Sequence, residues 1–135
     1  LEKILEIGAD FNKYNENSYV KITGYIVEVR PGGKESCNCG AQVDSLTDIH
    51  IYIGITPTSK KTECMIAEIT PKFKKIYKDF NIKQFVGKKV NVYGYLFKDM
   101  EHKQNAVNTC VKCDGRGIWR RSIWECHPVT KIENL

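Results

Sequence analysis

The sequence predicts a mainly β fold, a five-stranded Greek-key barrel with one helix between the third and fourth strands. Three observations predict it: five segments in which apolar residues alternate with polar or aromatic ones, one segment with helical spacing, and two long polar loops. Alternation with a period of two places every second side chain on the same face of a strand, as a half-buried sheet requires. The barrel is expected to form a single domain over residues 18–135.

The first two strands are predicted over residues 19–30 and 48–56. Gly24 interrupts the first, and a glycine inside a strand marks a bend or the close approach of another backbone. The second strand has the clearest alternation in the sequence, so its two faces are easily assigned. One face carries Ile49, Ile51, Ile53 and Ile55, and the other carries Asp48, His50, Tyr52 and Gly54. A long polar loop separates the two strands.

A third strand over residues 62–70 leads directly into a predicted helix. Thr70 can cap this helix through its hydroxyl, and Pro71 fits the first helical position because its missing N–H costs nothing there. The periodicity then changes to spacings of three and four, which gives one apolar stripe. The stripe consists of Phe73, Ile76, Tyr77 and Phe80. We expect the helix to continue to Phe85 and to stop at Gly87.

The last two strands are predicted over residues 88–98 and 122–132, with a second long polar loop between them. Pro128 lies in the final strand and marks a bulge or an edge position, since proline cannot donate a hydrogen bond to a sheet. Residues 1–17 precede the barrel as an N-terminal extension with a predicted short helix. That helix uses Leu1, Ile4 and Leu5 and ends at Gly8.

This element order is that of the oligonucleotide/oligosaccharide-binding (OB) fold, a partly open five-stranded Greek-key barrel. In that fold the loop between strands one and two and the loop between strands four and five flank one binding face. An SH3-like barrel lacks the helix after strand three, and an immunoglobulin sandwich needs about seven strands. The sequence therefore predicts an OB fold with two long loops beside its ligand.

Composition and charge limit the classes of function. The 21 basic and 16 acidic residues give a net charge of +5, which favours polyanionic partners without reaching the charge of a DNA-coating protein. No apolar run approaches the roughly 20 residues that cross a bilayer, so no membrane span is expected. The chain is expected to be a monomer. Because it begins with Leu1 rather than Met, the expected location is the cytoplasm or, after removal of an N-terminal signal, outside it.

Four short motifs stand out in and beside the predicted strands. They are Asp48-Ile49-His50-Ile51, Glu68-Ile69-Thr70-Pro71, Asp99-Met100-Glu101-His102 and Trp124-Glu125-Cys126-His127-Pro128-Val129-Thr130. Together, over residues 19–133, they resemble an uncharacterised bacterial family of small OB-fold proteins. The resemblance implies the fold and no particular activity. Met100 departs from the family pattern, in which a proline often follows the aspartate, and the loop over residues 103–121 is peculiar to this chain.

Four of the six cysteines lie in the two long loops. Cys37 and Cys39 form a C-x-C pair, and Cys110 and Cys113 form a C-x-x-C pair. Two such pairs can surround one tetrahedral zinc ion with Zn–S bonds of about 2.3 Å. Because the fold brings both loops beside one face, we expect a structural zinc ion on these four cysteines. Disulfides between the same loops and free thiols are the alternatives.

The three histidines, His50, His102 and His127, form a second candidate site with nearby carboxylates. A histidine–carboxylate cluster can bind a catalytic metal ion or act as general acid and base. With Glu68 or Glu101, these histidines define an alternative function, a metal-dependent hydrolase that acts on phosphodiesters. No motif such as H-E-x-x-H is present, and a histidine within a strand is more often a hydrogen-bonded structural residue.

Aromatic and basic residues on the outer faces of the strands form a third candidate site. Single-stranded nucleic acid needs rings on which its bases stack and cations near its phosphates. The candidate ligand-binding residues are Lys21, Tyr25, His50, Tyr52, Arg120 and Arg121. Packing is the alternative for every ring, and it would place Tyr93, Tyr95 and Phe97 under the helix or the N-terminal segment.

These features favour a non-catalytic OB-fold binding module over an enzyme. Single-stranded nucleic acid is the expected ligand, because the fold, the charge and the outward rings all suit it. The hydrolase is one alternative. An exported domain that binds carbohydrate or protein is the other.

Overall fold

A computed structural model describes residues 1–6, 13–33, 39–40, 42–43, 45–111 and 115–135 of the chain. Its regular elements follow the predicted order. They are helix α1 (Glu2–Glu6), strands β1 (Tyr19–Pro31), β2 (Ile49–Gly54) and β3 (Met65–Ile69), helix α2 (Pro71–Ile76), and strands β4 (Lys89–Lys98) and β5 (Trp124–Asn134). Short 3₁₀ turns occur at Lys61–Glu63, Ile82–Phe85 and Lys103–Asn105. Among the described residues, no helix is long and apolar enough to span a membrane.

The five strands close into a barrel in the order β1-β2-β3-β5-β4. β1 pairs with β2 along one edge and with β4 along the other. Neighbouring strands are antiparallel except β3 and β5, which are parallel and share two register pairs, Ile66 with Glu125 and Ala67 with Cys126. The prediction of a mainly β, five-stranded barrel of OB type is confirmed.

Aliphatic side chains from alternate strand positions fill the barrel. The fully buried members include Ile26, Ile51, Ile53, Val90 and Val92. α1 adds Ile4 and Leu5 to the same core. Cys64 and Cys126 are also fully buried, and burial raises the pKa of each thiol to about 12. Burying each large aliphatic side chain contributes about 1.5–3 kcal/mol, so this interior is the main stabilising feature of the fold.

The helix after β3 is much shorter than predicted. Thr70 caps it as expected, since its hydroxyl oxygen accepts a hydrogen bond from the Phe73 amide at 3.4 Å. α2 nevertheless ends at Ile76, whose side chain is 62% exposed rather than part of an apolar stripe. The prediction that the helix continues to Phe85 is wrong.

Packing of phenylalanine rings explains where the helix ends. The ring centroids of Phe73 and Phe80 lie 5.6 Å apart, and those of Phe80 and Phe85 are separated by the same distance. After α2 the chain begins a 3₁₀ turn, in which the Asn81 side chain accepts a hydrogen bond from the Lys83 amide. A short helix is only marginally stable by itself, so contact among the rings outweighs its continuation.

Pro128 lies at an irregularity in the pairing of β5 with β4, as predicted. The register shifts on both sides of Gly94, which is paired with Val129. A Cβ atom on Gly94 would lie 2.4 Å from the Pro128 carbonyl oxygen and 2.6 Å from Cys126 Sγ. Glycine is therefore needed at this position, because the two backbones approach too closely for a side chain.

Replacing Gly94 with alanine is expected to lower the free energy of unfolding by about 1–3 kcal/mol, the usual cost of overpacking. Gly33→Ala is the matched control, because a Cβ atom there meets nothing within 4 Å. Urea unfolding followed by tryptophan fluorescence compares the two variants. Equal midpoints for Gly94→Ala and the wild type would show that β4 and β5 separate easily at this point.

Candidate functional site

The outer face of β2 and β3, the usual ligand face of an OB fold, is covered by protein. Residues of both faces are buried, from His50 to the end of β2 and along the whole of β3. The cover comes from the covering loop, which we define as the described residues 99–111 and 115–123 between β4 and β5. In this loop the Trp119 ring stacks on His50 at a centroid distance of 6.2 Å and contacts Tyr52 at 6.4 Å.

Arg120 anchors the covering loop, and its side chain is fully buried. Nη1 donates a hydrogen bond to Asp99 Oδ2 at 2.6 Å, and Nη2 donates to Glu125 Oε2 at 2.9 Å. Nε donates to the carbonyl oxygen of Ser122 at 2.7 Å. A buried guanidinium needs such partners, because an unpaired charge in the interior is strongly unfavourable. Arg120 is therefore an interior residue and not the surface ligand contact that the sequence suggested.

Asp99 connects Arg120 to His102. His102 Nδ1 lies 2.6 Å from Asp99 Oδ2, and the His102 amide donates to Asp99 Oδ1 at 3.2 Å. Burial alone would raise the pKa of Asp99, but the hydrogen bonds from His102 and the charge of Arg120 lower it below its ordinary value. Asp99 is thus held as a carboxylate at the start of the covering loop.

A histidine–carboxylate cluster, defined as Asp48, His50, Glu68, Glu125 and His127, connects β2, β3 and β5. His50 and Glu68 are register partners, and His50 Nε2 lies 3.0 Å from Glu68 Oε1. His127 Nδ1 lies 3.3 Å from Glu68 Oε2, and its Nε2 lies 3.6 Å from Asp48 Oδ2. Glu125 Oε1 is 3.6 Å from His127 Nδ1. Since Glu125 also binds the buried arginine, the cluster and the loop anchor are continuous.

Burial and mutual charge determine the protonation of this cluster. Burial raises the pKa of Glu68 and outweighs the hydrogen bond with His50, while the charge of Glu125 raises it further. Burial lowers the pKa of His127, but the carboxylates of Glu125, Glu68 and Asp48 outweigh it and raise that pKa above its ordinary value. Three carboxylates face two histidines, so the cluster favours added positive charge.

The structure brings together three of the five residues considered for catalysis. His50, Glu68 and His127 meet in the cluster, where His50 lies across the strands from a partner as a structural histidine would. His102 instead accompanies Asp99 and contacts the ring of the loop tryptophan at 5.3 Å. Glu101, the other carboxylate considered, is exposed.

The candidate catalytic residues chosen from the sequence omit Asp48, Asp99 and Glu125, which make these contacts. A usable signal was present in the spacing, because Asp48 precedes His50 by two residues and Glu125 precedes His127 by two. Residues two apart in a strand share a face, so each carboxylate was placed beside a histidine. The contact of Asp99 with the buried arginine had no comparable local signal.

Of the residues proposed to bind ligand, only Lys21 and Tyr25 keep a clear outward position on β1, where Lys21 is exposed and Tyr25 half-buried. His50 and Tyr52 are buried beneath the covering loop. Arg121 is half-buried and its Nε donates to a backbone oxygen of α1 at 3.3 Å. The surface predicted around strands one and two is therefore largely closed.

The loop cysteines are only partly described. Cys39 is an exposed free thiol. Cys110 is disulfide-bonded. Cys37 and Cys113 lie outside the described residues. Cys110 is thus in a disulfide, which was one of the alternatives to zinc. A zinc ion on the four cysteines stays a prediction.

A different outer face, on β1, β4 and β5, presents rings and cations to solvent. We call it the tyrosine–lysine face, and it is formed by Tyr19, Lys21, Tyr25, Lys89, Tyr93, Tyr95 and Lys131. These side chains occupy the strand positions that alternate with core residues. Tyr19 is 57% exposed and Tyr95 is 40% exposed. Packing under the helix or the N-terminal segment is therefore excluded for Tyr95.

Strand register sets rings and cations side by side on this face. Lys21 is paired with Tyr93, Tyr93 with Lys131, and Tyr25 with Lys89. Lys131 Nζ lies 5.4 Å from the centroid of the Tyr93 ring, and Lys89 Nζ lies 6.0 Å from that of Tyr25. Both distances are within the range of cation–π contacts.

Glu133 also lies beside the tyrosine–lysine face. It pairs with Lys131, and its Oε2 accepts a hydrogen bond from the Tyr93 hydroxyl at 2.7 Å. The hydrogen bond to Glu133 raises the pKa of Tyr93, whereas the contacts with Lys131 and Tyr93 lower the pKa of Glu133. This carboxylate is engaged within the face, and the lysines of the face outnumber it.

The fold and its open face define a small OB-fold-like barrel protein. No protein-family model matches the chain, and no curated protein is similar enough to count as a relative. Membership of the uncharacterised bacterial family that the motifs suggest therefore stays a prediction.

Proposed function

We propose that this protein is a non-catalytic binding module for single-stranded nucleic acid, with the ligand lying along the tyrosine–lysine face. The observation that carries the proposal is the register pairing of lysines with tyrosines on this face, in the pairs Lys21 with Tyr93, Tyr93 with Lys131 and Tyr25 with Lys89. Bases stack on such rings, and cations beside the rings neutralise the phosphates. The net charge of +5 favours the same class of ligand.

The length of the face suits a short oligonucleotide. On β1 the outward residues extend from Tyr19 to Tyr25, a distance of about 20 Å at roughly 3.3 Å per residue. A single OB-type barrel contacts about 4–16 nucleotides. The face matches the lower end of that range.

The alternative functions have weaker support. A hydrolase gains from the meeting of His50, Glu68 and His127. His50 and Glu68 are buried and only 14% of the His127 side chain is exposed, which disfavours direct contact with a polymeric substrate. A carbohydrate could stack on the same tyrosines. It would make no use of the lysines as phosphate partners, so its binding would depend little on salt.

Binding of a mixed-sequence single-stranded oligonucleotide is expected to weaken as salt is raised. Three lysines on phosphates give a slope of roughly −2 in a plot of log K against log salt, since each phosphate contributes about −0.7. Fluorescence anisotropy with a labelled oligonucleotide of about ten nucleotides measures this slope. Lys21→Ala should reduce its magnitude by about 0.7, whereas Lys72→Ala, an exposed change on α2, should leave it unchanged.

Three outcomes would count against this proposal. Failure to bind the oligonucleotide at about 50 mM salt, where phosphate contacts are strong, would overturn it. Binding of an oligosaccharide that ignores salt, without binding of the oligonucleotide, would favour the carbohydrate interpretation. Cleavage of the oligonucleotide that stops on addition of EDTA would favour the hydrolase.

A further inference from the structure

We propose that Asp48, Glu68 and His127 bind one divalent transition-metal ion, with Zn²⁺ as the preferred ion. One potential ligand atom from each residue lies within 4.8 Å of the other two. The three residues come from separate parts of the chain, since Asp48 immediately precedes β2, Glu68 lies in β3 and His127 lies in β5. This site shares no residue with the loop cysteines or with the tyrosine–lysine face, so it does not rest on the nucleic-acid proposal.

The spacing of the three side chains is compatible with a metal ion between them. His127 lies 3.3 Å from Glu68 Oε2 through Nδ1 and 3.6 Å from Asp48 Oδ2 through Nε2. A hydrogen bond between nitrogen and oxygen usually measures about 2.7–3.2 Å. Two ligands at about 2.0–2.1 Å from a tetrahedral ion lie about 3.3–3.4 Å from each other. The two contacts use opposite nitrogens of the ring, so an ion on Nε2 lies beside Asp48 and needs the Glu68 carboxylate to move toward it. The three ligand atoms already lie within 4.8 Å of one another.

The surroundings supply the second layer that metal-bound histidines need. A ligating imidazole usually directs its other ring nitrogen to a carboxylate, which fixes the orientation of the ring. Glu125 Oε1, 3.6 Å from His127 Nδ1, is in position for that role when Nε2 is the ligand. His50, 3.0 Å from Glu68, is in position to orient the glutamate or to complete the coordination.

Charge points to the same conclusion. Asp48 and Glu68 are 3% and 4% exposed, and two buried carboxylates are unfavourable unless positive charge lies near them. The imidazole of His127 offers these carboxylates at most a single positive charge, at 3.3 Å from Glu68 and 3.6 Å from Asp48. A divalent ion on the deprotonated imidazole would place a double charge between them. Mixed imidazole and carboxylate ligands suit zinc and its neighbours in the first transition row.

The site lies where the barrel has its shortest strand ladder. β3 and β5 share only two register pairs among the described residues, and the three proposed ligands connect β2, β3 and β5 beside them. An ion held there would join strands that the backbone joins weakly. Because its ligands are almost fully buried, the ion would be structural, with stabilisation of the barrel as its effect.

Zinc binding to untagged protein, first stripped with EDTA, tests this proposal. Titration calorimetry with Zn²⁺ is expected to show one ion bound at this site, and thermal unfolding should shift upward with zinc, because an ion that binds only the native state stabilises it. Glu68→Gln keeps the shape of the side chain but removes its charge. It should weaken binding by on the order of 100-fold, because even partners outside the ligand set contribute about 10–100-fold. Glu133→Gln, on the exposed face, is the matched control and should bind as the wild type does.

Cobalt replacement distinguishes this site from the loop cysteines. Co²⁺ held by imidazole and carboxylates gives visible bands without the intense near-ultraviolet absorption that thiolate ligands add. Wild-type protein that binds no Zn²⁺, or that binds only a thiolate-ligated ion, overturns the proposal even if Glu68→Gln fails to fold. Unchanged affinity in a folded Glu68→Gln variant overturns it as well. Failure of the oligonucleotide to bind would leave these results unaffected, so the two proposals fail independently.

Discussion

Replacing Arg120 with alanine is expected to lower the free energy of unfolding by about 3–5 kcal/mol, a large fraction of the stability of an ordinary domain. Asp99 and Glu125 would remain as buried carboxylates without the cation that they share. The carbonyl oxygens of Ser122 and Ile123 would also lose the donors that reach them from the guanidinium. The covering loop would then lose its anchor on the barrel.

Two further variants complete this experiment, one that tests the shape of the charged group and one that serves as a control. Arg120→Lys keeps the charge but cannot reproduce the planar fork, so its loss of stability should be intermediate. Arg116→Ala changes an exposed arginine in the same loop and should stay within about 0.5 kcal/mol of the wild type. Urea unfolding measures all three variants.

Tryptophan fluorescence tests the role of Arg120 in holding the covering loop. Trp119 lies 5.2 Å from the Arg120 guanidinium, measured from the ring centroid to Cζ. Release of the loop should therefore change its emission before global unfolding begins. Wild-type stability in Arg120→Ala would show that other contacts anchor the loop.

The strands could be predicted because the signal that defines them is local. Alternation of apolar residues in β1, β2 and β4 reflects the period of an extended chain. It can be recognised without knowing which strands lie beside each of them. The cap at Thr70 is also a local feature, and the structure confirms it. The end of α2 could not be predicted, because contacts among Phe73, Phe80 and Phe85 determine it. Those contacts depend on how the chain turns after the helix.

Burial of the second face of β2 could not be predicted from alternation. His50 and Tyr52 alternate with isoleucines, a pattern that normally indicates one buried and one exposed face. Trp119, which covers them, is distant in the sequence. An arginine next to a tryptophan, taken alone, predicts a pair of surface residues. Only the folded path of the covering loop shows that Arg120 is an interior residue.

The outer surface of the barrel thus has a covered part and an open part. On the covered face of β2 and β3, contacts among charged and imidazole groups hold the loop against the strands. On the tyrosine–lysine face, the rings of Tyr19 and Tyr95 remain accessible on strands held in place by the core. A rigid sheet that presents accessible rings loses little freedom when bases stack on it, and this preorganisation favours binding.

Tyr95→Ala is expected to weaken oligonucleotide binding by about 1–3 kcal/mol, or roughly 5- to 150-fold. The ring is 40% exposed and contacts Tyr19, so its removal should lower stability by only about 0.5–1.5 kcal/mol. Tyr19→Ala should act similarly. The two losses should not add fully, because the ring centroids of Tyr19 and Tyr95 lie only 5.1 Å apart and the pair forms one platform.

Phenylalanine at the same positions is the decisive comparison. If bases stack on the ring, Tyr95→Phe should bind almost as the wild type does, since the π face is retained and only the hydroxyl is lost. Tyr77→Ala removes an exposed tyrosine next to α2 and away from the face, so it should leave affinity unchanged. Fluorescence anisotropy at one fixed salt concentration measures the whole series. Equal losses in Tyr95→Phe and Tyr95→Ala would show that the hydroxyl makes the contact, and normal affinity in Tyr95→Ala would move the ligand away from this face.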